Sequence, residues 1–366
     1  MLVAELNSAL ILTSGDTLLL PASNQLIKIP PPDVPPNLTK GQLQVLNKQD
    51  RTITSVTTSR DGKHIAVSTE NKQIVVFDAA FRIVSNFIVN RAPSKILFTK
   101  SGDMLVADRT GDVYLYKREK TEPVLLLGHL SMILDMALSE CEKYIITCDR
   151  DEKIRVSRFP NTYNIASFCL GHDEFVIRVV VIKGVLVSAS GDGTVRVWDY
   201  VKGAQLCSID TNLCVKDEKL LEEFSGVMDR EKVDVTALPI TDMQVVCDGD
   251  CLVVAVSLYS CRDVQLYRVE LEGYNWTVLN SVEPVDALHK FYLSKNLYIF
   301  DSFKVSVYNL SNSALINSDK QMDEFYEKHK NVLKISENEI TVLYKRKFDN
   351  VQEYLERKKL RLESGK

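Results

Sequence analysis

"LVSASGDGTVRVWDY" occupies positions 186–200. It reads as an apolar strand, a tight polar turn at Asp192-Gly193, and an alternating strand that ends on Trp198, the layout of a β-hairpin. Two upstream stretches share it: "IITCDRDEKIRVSRF" at 145–159 and "LVADRTGDVYLYK" at 105–117. The residue closing the second strand is Trp198, Ser157 or Tyr116, at intervals of 41 and 41. Further back, Phe77 in "QIVVFD" precedes Tyr116 by an interval of 39, and further on Tyr267 in "DVQLYRV" and Tyr308 in "KVSVYNL" are 41 apart. A looser match, Ile29 in "NQLIKIP", precedes Phe77 by 48, with the Pro-rich run 30–37 supplying the excess. Seven repeats of short strands at a period near 40 call for sheets arranged radially, each burying its faces against its neighbours. The expected fold is all-β, a seven-bladed propeller over residues 1–345.

Two departures from the period stand out. The interval from Trp198 to Tyr267 is 69, which exceeds one period by 28. Its centre, "KDEKLLEEFSGVMDREKVD" at 216–234, is charged, so the insert at about 210–234 is expected to be a solvated inter-blade loop with about one turn of helix. After the last repeat, "NVLKISENEITVLYK" at 331–345 resembles a hairpin. Because a propeller otherwise leaves a free edge, these residues are expected to close the ring by sharing a blade with the N-terminal strands. From residue 346 the chain changes character. Asp349 suits an N-cap, and Val351, Tyr354, Leu355 and Leu362 recur at helical spacing, giving a short basic C-terminal helix over 346–366. Residues 345–366 carry eight Lys or Arg against four Asp or Glu. Two readings stand: the helix packs on the propeller flank, or its cations Arg357, Lys358, Lys359 and Arg361 contact phosphates on a larger complex.

Composition narrows the function. With 45% hydrophobic and 26% charged residues the chain is globular, and a net charge of −4 argues against a surface wholly devoted to nucleic acid. The start has no basic region before its apolar run, and no window approaches 18 uninterrupted apolar residues, so neither a signal peptide nor a membrane span is expected. Eight cysteines lie without metal-ligand spacing, the pattern of reduced thiols in a cytosolic or nuclear protein. Hydrolase, zinc-protease, P-loop and dinucleotide motifs are missing. "DRDEKIRV" at 149–156 begins like a calcium loop but lacks its Gly and terminal Glu. No catalytic, cofactor-binding or metal-binding residue is therefore expected.

Two repeats carry a Gly-His pair, Gly128-His129 and Gly171-His172, at an interval of 43. With these the repeats resemble WD repeats, whose blades hold a buried hydrogen-bonded set of His, Ser or Thr, Asp and Trp. That resemblance assigns structural roles to His172, Ser188 or Ser190, Asp192 and Trp198. In the preceding repeat it assigns them to His129, Thr147 and Asp151, with Ser157 replacing Trp. A closer resemblance covers "LGHLSMILDMALSECEKYIITCDRDEKIRVSRFP" at 127–160, "SFCLGHDEFVIRVVV" at 167–181 and "KFDNVQEYLERKKLRL" at 347–362, and extends to "VADRTGDVY" at 106–114 and "SASGDGTVRVWDY" at 188–200. These segments are similar to the non-catalytic WD-repeat subunit of the eukaryotic tRNA guanine-N7 methyltransferase. The resemblance implies a heterodimer, in the nucleus with a cytoplasmic pool, whose partner binds S-adenosylmethionine and methylates a guanine in the tRNA variable loop. This chain would stabilise that partner. The other reading is a generic WD scaffold, a substrate receptor in a ubiquitin ligase or a peptide reader.

One residue breaks the strand pattern. In "FVIRVVVI" at 175–182, Arg178 interrupts an apolar run, and a buried unpaired guanidinium is costly. The equivalent residue one repeat earlier is Asp135. Arg178 is expected near a rim, forming a mixed-charge, partner-binding patch with Asp173, Glu174, Arg150, Glu152 and Lys153. There a carboxylate of the methyltransferase subunit would meet it, unless a charge within the chain pairs with it.

Overall fold

The computed structural model describes residues 1–32, 50–118, 122–284, 289–301, 304–310, 315–316, 320–333, 335 and 340–345. Seven four-stranded sheets form, each an antiparallel meander whose strands pair in chain order. We number them blades 1 to 7, at residues 3–28, 53–88, 93–128, 133–169, 176–210, 240–282 and 289–316. The first strands of successive blades pack against one another around a central channel, and those of blades 1 and 7 meet to complete the circle. The sheets are legible because both faces of each are covered: the second strand of blade 5, Val185–Ser190, is buried at every position. A separate apolar cluster fills each of the seven seams between blades.

Ring closure differs from the expectation. Among the described residues no blade mixes strands from the two ends of the chain, because blade 1 takes all its strands from residues 3–28. The third strand of that blade is Thr17–Leu20, and the run around Ile29 carries its fourth, Gln25–Lys28, so the first slot lies earlier than the repeat spacing suggests. Nor is a hairpin formed by the described residues of 331–345: Ile340–Leu343 is one turn of 3-10 helix. The ends are joined by packing instead. Helix α2, Lys320–His329, lies over blade 1 and buries Phe325 and Tyr326 with Leu10, Leu12 and Leu19. Ser14 Oγ donates to Val332 O at 2.6 Å, and Tyr292 Oη donates to Glu5 Oε2 at 3.3 Å across the seam.

The charged insert also departs from expectation. Its centre is a 12-residue helix, α1, Lys219–Arg230. Leu220, Phe224 and Met228 recur at every fourth position and share one face. Phe224 and Met228 are 2% and 0% exposed within the cluster between blades 5 and 6. The charged residues that dominate the composition cover the other face. The helix ends where Lys232 adopts φ +59° and the Val233 N–H bonds Met228 O at 3.1 Å, a left-handed C-terminal cap. Asn212 closes the base of the insert, donating to Leu238 O at 3.1 Å and accepting from the Leu238 N–H at 2.8 Å. Gly193, at φ +75°, turns the adjoining hairpin directly under this pair, where a Cβ would strike Asn212 Nδ2. The expected helix at 346–366 lies outside the described residues.

Because α1 belongs to the core, Phe224→Ala should cost about 3–5 kcal/mol of unfolding free energy in urea titration. Glu223→Ala on the exposed face should stay within about 0.5 kcal/mol. Two neutral variants would mean that the insert is a solvated loop after all.

Candidate interaction face and its structural supports

The two Gly-His repeats build the expected polar sets, with one correction. In blade 5 a chain of hydrogen bonds runs Trp198 Nε1–H to Ser188 Oγ at 2.8 Å, Ser188 to His172 Nε2 at 2.7 Å, and His172 Nδ1 to Asp192 Oδ2 at 2.9 Å. Ser190 is not a member; its hydroxyl donates to Glu174 O. In blade 4, His129 sits 2.8 Å from Asp149 Oδ2 and 2.7 Å from Thr147 Oγ1. The acid there is Asp149, not Asp151. Spacing explains it: Asp149 follows His129 at an interval of 20, as Asp192 follows His172. Asp149 Oδ1 also accepts the Asp151 and Lys153 N–H groups, so it shapes the turn that holds them. Ser157, in the Trp position, accepts from Arg155 Nε at 2.9 Å.

Serine, histidine and aspartate in this order resemble a hydrolase triad, and the resemblance is misleading. Ser188 is 0% exposed and already accepts the indole N–H, so no substrate carbonyl can reach its oxygen. These sets hold the blades together. Burial alone would raise the Asp192 pKa, but the His172 hydrogen bond and charge and two bonds from Thr194 lower it to about 2.

Arg178 is not part of the expected patch. A register shift in the first strands of blades 4, 5 and 6 turns Asp135, Arg178 and Asp242 into the central channel. Lys95 of blade 3 precedes them, so charge alternates around the ring: Lys95 Nζ lies 2.8 Å from Asp135 Oδ1, and Arg178 Nε lies 2.8 Å from Asp242 Oδ1. Asp135 also accepts the Val179 N–H at 3.1 Å. The Asp242 charge raises the Arg178 pKa against the opposing effect of burial, with Asp135 adding to the rise. An external carboxylate is thus unnecessary: Asp242 supplies one. The signal is present in the sequence, since Asp242 stands two positions after Ile240 as Asp135 stands two after Ile133.

Asp173, Glu174, Arg150, Glu152 and Lys153 do lie together, on the face formed by the turns of blades 4 and 5. What covers part of them is the chain's own residues 340–345, which sequence reading assigns elsewhere. Arg150 donates to Leu343 O and Tyr344 O at 3.0 and 3.1 Å. Lys345 pairs with Glu152 at 2.5 Å and Asp151 at 3.3 Å. Tyr344 is 3% exposed; its hydroxyl donates to Gly191 O at 3.0 Å, and its ring meets Phe175 edge-on at 5.0 Å and Phe224 of α1 at 5.9 Å. Residues 340–345 are therefore a strap across blades 4 and 5, and Arg150 and Glu152 are its anchors. Burial under this strap, reinforced by the Glu152 charge and opposed by Lys345, raises the Glu174 pKa to about 7. Asp173 and Lys153 stay exposed, as does Leu130 in the neighbouring loop. Arg357, Lys358, Lys359 and Arg361 lie outside the described residues.

Among the described residues no group of His, Cys, Asp and Glu is arranged to hold a metal, and no helix is long and apolar enough to cross a membrane. The chain is a WD-type propeller whose Gly-His histidines are committed to internal bonds and whose face over blades 4 and 5 is built from turns. Solved structures agree on the fold: one chain of a mitotic checkpoint complex superposes with a TM-score of 0.59 at 12% identity, over 80% of this chain and 83% of that one. Sequence comparison goes further. The profile of the family described as the tRNA methyltransferase TRM82 WD40 domain matches residues 25–120 and 115–287. The zebrafish (Danio rerio) tRNA (guanine-N(7)-)-methyltransferase non-catalytic subunit wdr4 is 34% identical, covering 86% of this chain and 78% of the relative. The Drosophila melanogaster subunit wuho is 32% identical over 85% and 74% of the two chains. The human subunit WDR4 is 34% identical over 63% of this chain and 57% of its own. This chain belongs to that family of non-catalytic subunits.

Two measurements probe these supports. Arg178→Leu should lose about 2 kcal/mol in urea unfolding, because Asp242 is left unpaired, and Arg178→Leu/Asp242→Leu should recover at least half of the loss. A single variant as stable as wild type would remove the channel pair from the fold's supports. The second concerns Glu174. A carboxyl with a folded pKa of about 7, above its unfolded value of 4.5, stabilises the fold while protonated and loses that contribution as pH rises through 7. Glu174→Gln should therefore melt above wild type at about pH 8, with the difference closing by about pH 5. The opposite trend would show that Glu174 is held as a carboxylate.

Proposed function

We propose that this chain is the non-catalytic half of a heterodimeric tRNA guanine-N7 methyltransferase, holding its catalytic partner in an active conformation while N7-methylguanosine forms in the tRNA variable loop. Family membership over residues 25–287 carries this reading. S-adenosylmethionine belongs to the partner, in keeping with a chain that has no Gly-rich strand-to-helix loop. The docking surface is the face over blades 4 and 5, where Asp173, Lys153 and Leu130 stay exposed beside the strap. Arg150, Glu152 and Glu174 support that surface from beneath by seating residues 343–345. Arg178 holds the ring together behind it. Contact with tRNA through Arg357, Lys358, Lys359 and Arg361 would add to the affinity of the same complex. Acting on tRNA, the complex would work in the nucleus, with a cytoplasmic pool.

A ubiquitin-ligase receptor or peptide reader would share the fold but not the partner. Affinity purification of the full chain should recover a methyltransferase-fold protein at one-to-one, and tRNA from cells lacking the chain should lose N7-methylguanosine. Isolated, the chain should show no heat of binding with S-adenosylmethionine in titration calorimetry. Micromolar affinity for that cofactor, or unchanged tRNA methylation, overturns the assignment.

A further inference from the structure

The seams between blades are not all sealed at their outer ends. Between blades 3 and 4, Thr162 Oγ1 donates to Leu126 O, and Arg155 Nη1 donates to Gly128 O at 3.2 Å. Between blades 4 and 5, Ser167 Oγ donates to Tyr200 O at 2.5 Å. No such bond joins the outer strands of blades 2 and 3 among the described residues. A cleft of about 670 Å³ opens there instead, within the ~300–1,000 Å³ of ordinary ligand sites.

Its floor is the outer end of the apolar cluster between the two blades. Val76, Phe98 and Met104 are 8%, 9% and 5% exposed, yet all line the cleft. Phe87 and Tyr116 form one wall, their rings packed on each other at 5.5 Å. Val84, 49% exposed, forms the lip, at a point where the pairing of the outer strand of blade 2 skips a residue. Phe87 belongs to an edge strand, Ile83–Ile88, which among the described residues pairs with a strand on one side only, and Tyr116 to the third strand of blade 3.

Charge distinguishes the cleft from the rest of this acidic chain. Among the described residues no carboxylate lines it, whereas Lys117 and Arg118 stand at the mouth and His64 lies beside Phe98. Among the described residues neither Lys117 nor Arg118 has an ion-pair partner. Asp103, beside Arg118, is engaged by the Ser101 hydroxyl at 2.9 Å and the Arg118 backbone N–H at 3.1 Å. An apolar depression rimmed by two such cations complements an apolar side chain adjoined by carboxylates. Nucleic acid offers the negative charge but not the aliphatic anchor, and the Phe87 and Tyr116 rings already cover part of each other's faces.

We infer that the cleft between blades 2 and 3 is a docking site for a short extended peptide that inserts one apolar side chain and places adjacent Asp or Glu on Lys117 and Arg118. It lies away from the blade 4 and 5 face, so a protein carrying such a segment could be held while that face is occupied.

The test presents the full chain with a positional-scanning array of octapeptides and measures the best binder by fluorescence anisotropy. Selection should favour Leu, Ile, Met or Phe at one position with Asp or Glu at its neighbours. Lys117→Glu/Arg118→Glu should weaken that peptide by at least about tenfold. Val84→Glu should weaken it by a similar factor. Both changes lie at exposed or partly exposed positions, and thermal melting within about 2 °C of wild type confirms that each variant is folded. An array without this selection, or a selected peptide indifferent to both variants, overturns the proposal. So does a ten-nucleotide oligouridylate that binds wild type, is lost in the double variant and finds no peptide rival, since the cleft would then read RNA.

Discussion

A ring of blades is held only as firmly as the seam where its two ends meet. In many-stranded sheets an unpaired edge invites association with other chains, and a propeller avoids that by making the last blade a neighbour of the first. Here the seam between blades 7 and 1 is a side-chain junction. Helix α2 presses Phe325 and Tyr326 onto the second and third strands of both blades, and no strand crosses from one blade to the other among the described residues. The other six seams depend on this one, because each blade buries its faces only while its neighbours hold position.

Within that ring the charged side chains of the channel are placed where a partner from an adjacent blade can meet them. The alternation of Lys95, Asp135, Arg178 and Asp242 around the channel works because consecutive blades present equivalent positions side by side. Like charges there would repel across a few ångströms, whereas alternating charges link blades 3 to 6. The strap obeys the same rule. Its carbonyls would be unsatisfied over the turn of blade 4, and Arg150 supplies both donors.

The repeat makes most of the architecture legible, since period-2 strands recurring at a near-constant interval admit few arrangements. The blade 5 set can be named residue by residue because its Gly-His, Ser, Asp and Trp all stand in the sequence. Sequence reading fails where geometry overrules local composition. Helix α1 looks like a loop because more than half of the residues in 216–234 are charged, yet two of its side chains suffice to bury it. Asp151 is easily mistaken for Asp149 because both lie in one turn, and only the spacing from His129 separates them. Tyr344 gives no local sign of its role: its partners Gly191, Phe175 and Phe224 lie more than a hundred positions away. Arg178 looks like an interface residue because its partner, 64 positions on, sits in a different repeat.

That every blade is built from one uninterrupted stretch bears on how the molecule is made. Contacts within and between successive blades are local in sequence, so the chain behaves as a near one-dimensional array that can grow in the order of synthesis. Blades 1 to 6 can stack while the rest of the polypeptide is still on the ribosome. The exceptions are the strap, which returns to blades 4 and 5, and α2, whose residues 320–329 must return to blade 1, some three hundred positions back. Until they emerge, the nascent array is an open arc with two apolar flanks, and that interval is when it most needs shielding from its neighbours.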